Sequence, residues 1–242
     1  MSTVLVTGAS RGIGAATARA LSETHDLVLV GRDTDALHAV ARDCRSARVV
    51  TADLTAAGTE PTAANTAGPA DSDGAHGPAL AAAGIERLDG LIHCAGVAEL
   101  GRIADSDAGQ WRRAYDINVV AVVELTRILL PALRAAEGHV VVVNSGAGYT
   151  AKPDWGSYAA SKFALRAFTD VLRQEEPGLR VTSVHPGRVD TDMQRAIVAH
   201  EGRTYDPETF LAPGSVATAI RQALDATPDA HPTEIVLRPR PR

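Results

Sequence analysis

The chain is short of cysteine, lysine, aromatic residues and long apolar runs, and each shortage removes a class of protein. Cys44 and Cys94 are the only cysteines among 242 residues; two are too few for a disulfide framework, and neither has histidines at metal-ligand spacing. The first residues do not read as a secretory leader, so a reduced, cytoplasmic setting is expected. No window holds the roughly 18 uninterrupted apolar residues that a membrane span needs. The charge balance, 24 basic against 29 acidic side chains for a formal −5, offers no basic footprint for nucleic acid. Neither a membrane nor a nucleic acid is therefore expected as partner. With 2 Trp, 4 Tyr and 3 Phe, a strongly aromatic pocket is not expected either. Lys152 and Lys162 are the only lysines, so a lysine at functional spacing stands out.

What is present is an alternation of short apolar runs with longer amphipathic stretches, the pattern of parallel strands joined by crossover helices. Strands are expected near 4–7, 27–30, 48–51, 88–94, 139–144, 181–185 and 234–237, with helices near 12–22, 34–43, 106–134, 157–174 and 214–226. The β-branched strands lack polar alternation, which predicts burial on both faces. The fold class is α/β: a single-domain, doubly wound (Rossmann) parallel sheet of about seven strands, over residues 1–242. The length lies just under the ~250–300 residues at which a single core stops growing. Residues 56–84, rich in Ala, Gly, Thr, Pro and Asp, break the rhythm and are expected to form a flexible insertion.

The first strand runs into Thr7-Gly8-Ala9-Ser10-Arg11-Gly12-Ile13-Gly14 and then a helix rich in small residues. Glycines here allow a sharp turn, close approach of a diphosphate and tight packing of helix on sheet, and the helix start offers free N–H groups to an anion. No Gly-Lys-Ser/Thr ending follows, which excludes a nucleoside-triphosphate loop. The second strand ends in Gly31-Arg32, where an arginine accommodates a 2′-phosphate, and Arg11 adds a second guanidinium. Asp33 leaves open the alternative of a carboxylate gripping ribose hydroxyls. Asp53-Leu54 and Cys94-Ala95-Gly96 follow the third and fourth strands, at the edge where open sheets bind ligands.

Tyr158-Ala159-Ala160-Ser161-Lys162 stacks a phenol and an ammonium on one helix face. A nearby cation lowers a phenol's pKa from its usual ~10, which makes the pair an acid/base device. Ser145, at the end of the fifth strand, carries a hydroxyl able to donate to a carbonyl oxygen. Its surroundings, Val-Asn-Ser-Gly-Ala, lack the Gly-x-Ser-x-Gly elbow of a hydrolase nucleophile.

Thr-Gly-x-x-x-Gly-Ile-Gly, the serine, and Tyr-x-x-x-Lys in this order resemble the short-chain dehydrogenase/reductase family, and the resemblance runs from Thr3 to Leu237. It implies an oxidoreductase that moves a hydride between nicotinamide and a carbonyl or secondary alcohol of a small-molecule substrate. By resemblance Tyr158 is the general acid in carbonyl reduction, Ser145 polarises the carbonyl, Lys162 lowers the tyrosine pKa and holds the nicotinamide ribose, and Asn118 positions a relay water. Arg11 and Arg32 imply NADP(H), with Gly8, Ser10, Gly12, Ile13, Gly14, Asp53, Leu54, Cys94, Ala95 and Gly96 around the cofactor. Pro186, Gly187, Val189 and Thr191 match the segment that lies against the nicotinamide in the family. His93-Cys94 departs from the two asparagines often found there, and His93 and His185 read as structural core histidines. The stretch from Asp192 to Ala212 is expected to fold over the substrate, with Met193, Ile197 and Phe210 either lining a pocket or packing on the core. The resemblance also implies a homodimer or homotetramer. A sugar-nucleotide epimerase, an NAD-dependent dehydrogenase and a non-catalytic NADP(H)-sensing module are the competing readings.

Overall fold

A computed structural model describes residues 1–56, 84–227 and 229–240; the expected insertion over 56–84 lies almost entirely outside them. Seven strands, β1 (Ser2–Thr7), β2 (His25–Gly31), β3 (Ala47–Thr51), β4 (Gly90–His93), β5 (His139–Val143), β6 (Arg180–Pro186) and β7 (Glu234–Leu237), form one sheet in the order β3-β2-β1-β4-β5-β6-β7. Every pairing is parallel. The doubly wound sheet expected from the apolar pattern is therefore present.

Successive strand residues point to opposite faces, and the core divides accordingly. Leu5, Val28, Val30, Val140 and Val142 face Leu125, Leu129, Leu133 and Leu165 on the helices α4 (Ala121–Ala136) and α5 (Gly156–Glu175). Their neighbours Val4, Val6, Leu27, Leu29 and Val141 face α1 (Gly12–Leu21), α2 (Thr34–Arg42) and α7 (Pro213–Leu224) through Ala18, Leu21, Leu37 and Ile220. Burying each such leucine contributes about 1.5–3 kcal/mol. Two-sided burial holds for the central strands but not for β3 and β7, the sheet edges, where exposed residues recur.

The expected continuous helix over 106–134 is not what forms. Helix α3 (Ala108–Tyr115) passes through a π turn, Asp116–Val120, before α4 begins. That bulge carries Asn118 into the interior, where it is fully buried. Helix α6 (Asp192–His200) completes the set of described α-helices. Among the described residues no helix is long and apolar enough to cross a membrane.

Because β1 has β2 on one side and β4 on the other, the chain reverses its winding at β1, and a crevice opens at the carboxyl ends of these strands. The turns after β1, β2, β3, β4, β5 and β6 all lie along this edge.

Two histidines sit in the sheet interior as neutral donors. His93 Nε2 lies 3.0 Å from the Thr126 hydroxyl, which itself donates to the Val122 carbonyl, so the imidazole supplies the proton. His139 stands in the same relation to Thr182 at 2.7 Å. Burial pulls both pKa values down to about 3. An unfolded histidine titrates near 6.5, so between about pH 6.5 and 3 the unfolded chain binds protons that the folded chain refuses. Stability is thus expected to fall as pH drops through that window, by up to about 1.4 kcal/mol per pH unit for each histidine. His93→Gln keeps a donor for Thr126 and should flatten the slope of the urea midpoint against pH; an unchanged slope refutes this origin.

Candidate active site

Close contact between two turns shapes the crevice. The Thr7 hydroxyl accepts the Cys94 and Ala95 N–H groups at 3.1 and 3.2 Å, drawing the turn after β4 onto the glycine loop. Gly8 has φ +62°, and a Cβ there would stand 2.8 Å from the Ala95 nitrogen. A Cβ on Gly14 would stand 2.2 Å from the Gly8 carbonyl oxygen, so α1 seats directly on the loop. Asp33, Asp107 and Thr191 cap α2, α3 and α6 with side-chain acceptors, whereas Arg11 gives α1 none. The N–H groups that open α1, from Gly12, Ile13 and Gly14, thus lack a side-chain partner. Ser10 is half-buried beside them.

At the end of β2, Arg32 is exposed, while the Asp33 carboxylate accepts the Ala36 N–H at 3.0 Å and so is engaged as the cap of α2. Arg11 turns elsewhere: its guanidinium is 3.9 Å from the Asp192 carboxylate at the start of α6, with both side chains exposed. Asp53 accepts from the Thr55 amide and hydroxyl at 3.0 and 2.8 Å, which starts the short 3-10 turn at Leu54.

Helix α5 places Tyr158 and Lys162 one turn apart and buried, at 7% and 4% exposure. The Tyr158 ring packs with Ala98, Ala147 and Ala159, and the Trp155 ring meets it edge-on at 5.7 Å. Lys162 Nζ donates to the Val143 carbonyl at 3.1 Å and lies 5.8 Å from the centre of the Tyr158 ring. Ser145 follows β5; its Oγ accepts the Ala147 N–H at 3.1 Å, and its hydroxyl is close enough to the Tyr158 phenol to favour the ionised form. Asn118 donates to the Val97 carbonyl and to Ser161 Oγ, both at 3.0 Å, and accepts the Val97 N–H at 2.9 Å. Gly96 makes room for this gathering, since a Cβ on it would lie 3.2 Å from Asn118 Oδ1 and 3.9 Å from Lys162 Nζ.

The electrostatics run opposite to the expectation drawn from the Tyr-Lys spacing. Burial holds the Tyr158 phenol above its ordinary pKa, and the nearby Ser145 hydroxyl offsets only part of this. Burial also lowers Lys162 to about 8 and raises Cys94 to about 12. Loss of water around the phenol therefore outweighs the Ser145 hydroxyl, a neighbour that favours its ionised form.

The turn after β6 completes the edge. Gly187 N–H donates to the Leu237 carbonyl at 2.8 Å, Val189 bridges to Leu211, and the Thr191 hydroxyl both caps α6 and donates to the Val189 carbonyl. Thr191 reaches the glycine loop: its methyl would lie 3.3 Å from a Cβ on Gly12. Pro186 is the last residue of β6. A cleft of about 340 Å³ opens between the loop after β4 and α6, lined by Ala98, Glu99, Leu100, Gln110, Ile197 and His200 among others. Ala98 belongs both to this lining and to the packing around Tyr158. Of the residues weighed for a pocket, Ile197 lines it and Phe210 packs on Tyr205 at 5.2 Å; Met193 is 37% exposed. Trp155, Thr7 and Glu99, the last held by Arg113 at 2.7 Å, were not singled out by spacing or composition.

A family model for short chain dehydrogenases matches residues 2–202. The chain belongs to the short-chain dehydrogenase family. It is 35% identical over 197 residues to an uncharacterized oxidoreductase of Schizosaccharomyces pombe, covering 80% of this chain and 73% of the relative. It is 30% identical over 240 residues to an uncharacterized oxidoreductase of Staphylococcus epidermidis, covering 97% and 96%. Among solved structures, a short chain dehydrogenase from Shigella flexneri complexed with NADP superposes with TM-score 0.81 at 27% identity, over 99% of this chain and 97% of that one. A metagenomic short-chain oxidoreductase in complex with NADP gives 0.77 at 27%, over 100% and 98%. This short-chain dehydrogenase is thus an oxidoreductase by family, with the family's motif residues gathered at one edge of its sheet.

Gly8→Ala in this dehydrogenase combines a forbidden φ with overlap against Ala95. It is expected to cost more than about 2 kcal/mol, seen as a melting-temperature loss of at least about 4 °C; an unchanged melting temperature refutes the close approach.

Proposed function

We propose that the chain is an NADP(H)-dependent oxidoreductase acting on a carbonyl or secondary alcohol group of a small molecule. The observation that carries this reading is the buried Tyr158, one helical turn from Lys162 and beside Ser145, at the carboxyl edge of the sheet. Two related structures are complexes with NADP, which supports the same cofactor here.

The residues present fit such a cofactor. The uncapped start of α1 offers amide protons to a diphosphate, and the closeness of Gly8 to Ala95 keeps side chains out of its path. Arg32, exposed at the end of β2, suits a 2′-phosphate, and the engagement of Asp33 in capping α2 argues against a carboxylate grip on the ribose. Arg11 reaches the same phosphate only by leaving Asp192, an exposed pair that holds it weakly. Asp53, Leu54, Cys94, Ala95, Gly96, Pro186, Gly187, Val189 and Thr191 are proposed to line the remainder. Bound NADPH supplies the hydride from its nicotinamide ring.

In carbonyl reduction Tyr158 Oη gives its proton to the substrate oxygen as charge develops there, and Ser145 Oγ donates a second hydrogen bond to the same atom. The raised pKa suits this role, because the phenol stays protonated at neutral pH until a stronger base forms beside it. Lys162, 5.8 Å from the centre of the Tyr158 ring, supplies the nearby positive charge that favours the phenolate left after the transfer. Asn118 has both amide protons engaged, so any relay water is taken by the remaining Oδ1 lone pair or the backbone. Exposed Val120, Phe163 and Val171 on the helical face support self-association as a homodimer or homotetramer.

Reduction of a panel of ketones and aldehydes, followed by NADPH absorbance, tests the reading. Tyr158→Phe is expected to lower kcat by about 100-fold or more while NADPH binding persists; equal rates, or binding without turnover on any carbonyl, overturn it. Arg32→Ala is expected to erase the preference for NADPH over NADH, and a preserved preference refutes the assigned role.

A further inference from the structure

Around the Ser145 carbonyl lies a cluster of charged and aromatic groups that the proposed chemistry does not use. His185 of β6 is completely buried, and its Nδ1 lies 3.1 Å from the Ser145 carbonyl oxygen. The Tyr149 ring covers it at 4.3 Å between centroids, and the Arg166 guanidinium lies 4.4 Å from the centre of the Tyr149 ring. Glu234 of β7 stands 4.0 Å from His185 Nε2 and pairs with Arg166 at 3.3 Å. Arg238, just beyond β7, donates to the His185 carbonyl at 2.9 Å.

A carbonyl oxygen only accepts, so the ring nitrogen facing Ser145 has to be the one carrying hydrogen. Nε2 is buried with no hydrogen-bond partner, which suits a neutral ring with its single proton on Nδ1. Burial lowers the His185 pKa; the bond to Ser145 and Glu234 raise it, and Arg166 and Arg238 lower it, so the neutral form prevails at neutral pH.

We propose that His185 is a positioning residue for Ser145, holding the serine's carbonyl through Nδ1–H so that its hydroxyl stays aimed at Tyr158 and the substrate oxygen. The Ser145 carbonyl also accepts the Gly148 N–H at 3.0 Å, and the Ser145 N–H donates to Asn144 Oδ1 at 2.9 Å. His185 thus adds a long-range bond to a carbonyl that already accepts the local Gly148 N–H, and so fixes the turn against β6. Without it, the turn from Ser145 to Gly148 keeps its local bond but loses its tie to β6. The edge strand β7 reaches the reacting groups by the same route, through Glu234 and Arg238.

This rests on the function proposed above, and two measurements separate the fates of the two. His185→Phe keeps a ring but no donor, and His185→Asn places an amide N–H where Nδ1 stands. The phenylalanine variant is expected to lose about tenfold in kcat with KM for NADPH within twofold of the parent, and the asparagine variant to recover most of that loss. An unchanged kcat in His185→Phe, or an asparagine variant as slow as the phenylalanine one, overturns the assignment. Independently of turnover, 15N spectra of labelled imidazoles, with His185 identified by its disappearance in His185→Asn, should show the Nδ1–H tautomer at neutral pH. The Nε2–H tautomer overturns the contact even in a chain that turns over. A parent that reduces no carbonyl overturns the functional reading and the catalytic role of His185 with it, while the tautomer still decides the contact.

Discussion

The hydrogen bond from the Lys162 ammonium to the Val143 carbonyl ties the long helix α5 to the end of β5, and the rest of the site is arranged around that tie. A cation buried to 4% exposure is costly unless each donor has somewhere to point. The carbonyl satisfies one, and the space left by Gly96 brings Asn118 and the turn after β4 to the same place. Once Lys162 is fixed, Tyr158 is fixed one turn earlier, over the serine that follows the same strand. The Lys162 pKa of about 8 records how much this dry setting strains the charged form.

Much of this was legible in the chain. The central strands show as apolar runs because a parallel sheet covered on both faces leaves no room for polar alternation there. The ordered motifs from Gly8 to Thr191 show because glycine, phenol and ammonium are each rare in their required places. Other features left no trace in the pattern. The π turn at Asp116–Val120 breaks the helix without proline or glycine, and apolar spacing does not register one extra residue. Arg11 reads as a phosphate ligand by position, yet its long side chain reaches Asp192 on a distant element. Spacing set Tyr158 beside a cation but said nothing of how little water surrounds them, and that decides the direction of the pKa. The residues 57–83 lie outside those described, so the expectation of an insertion there stands as read from composition.

The departure from the family's usual pair of asparagines after β4 is accommodated locally. His93 bonds to Thr126 inside the sheet, and the Cys94 amide bonds to Thr7, so the turn keeps its anchors through different side chains. Structures complexed with NADP share about a quarter of the residues yet superpose with TM-scores near 0.8, which fits a site held by backbone turns at strand ends more than by the identity of surrounding side chains.

One wide turn on the path from α3 to α4 sets how the chain between Trp111 and Leu133 tolerates change. Each residue advances an α-helix by about 100°, so the additional residue at Asp116–Val120 would offset the faces before and after it by that angle if the wide turn did not take it up. Losing one residue there would let the helix run on as a regular α-helix with both flanking faces kept, and would take away the wide turn that brings Asn118 to Val97. The length of the bulge is therefore constrained by the site it serves and not by the packing on either side of it.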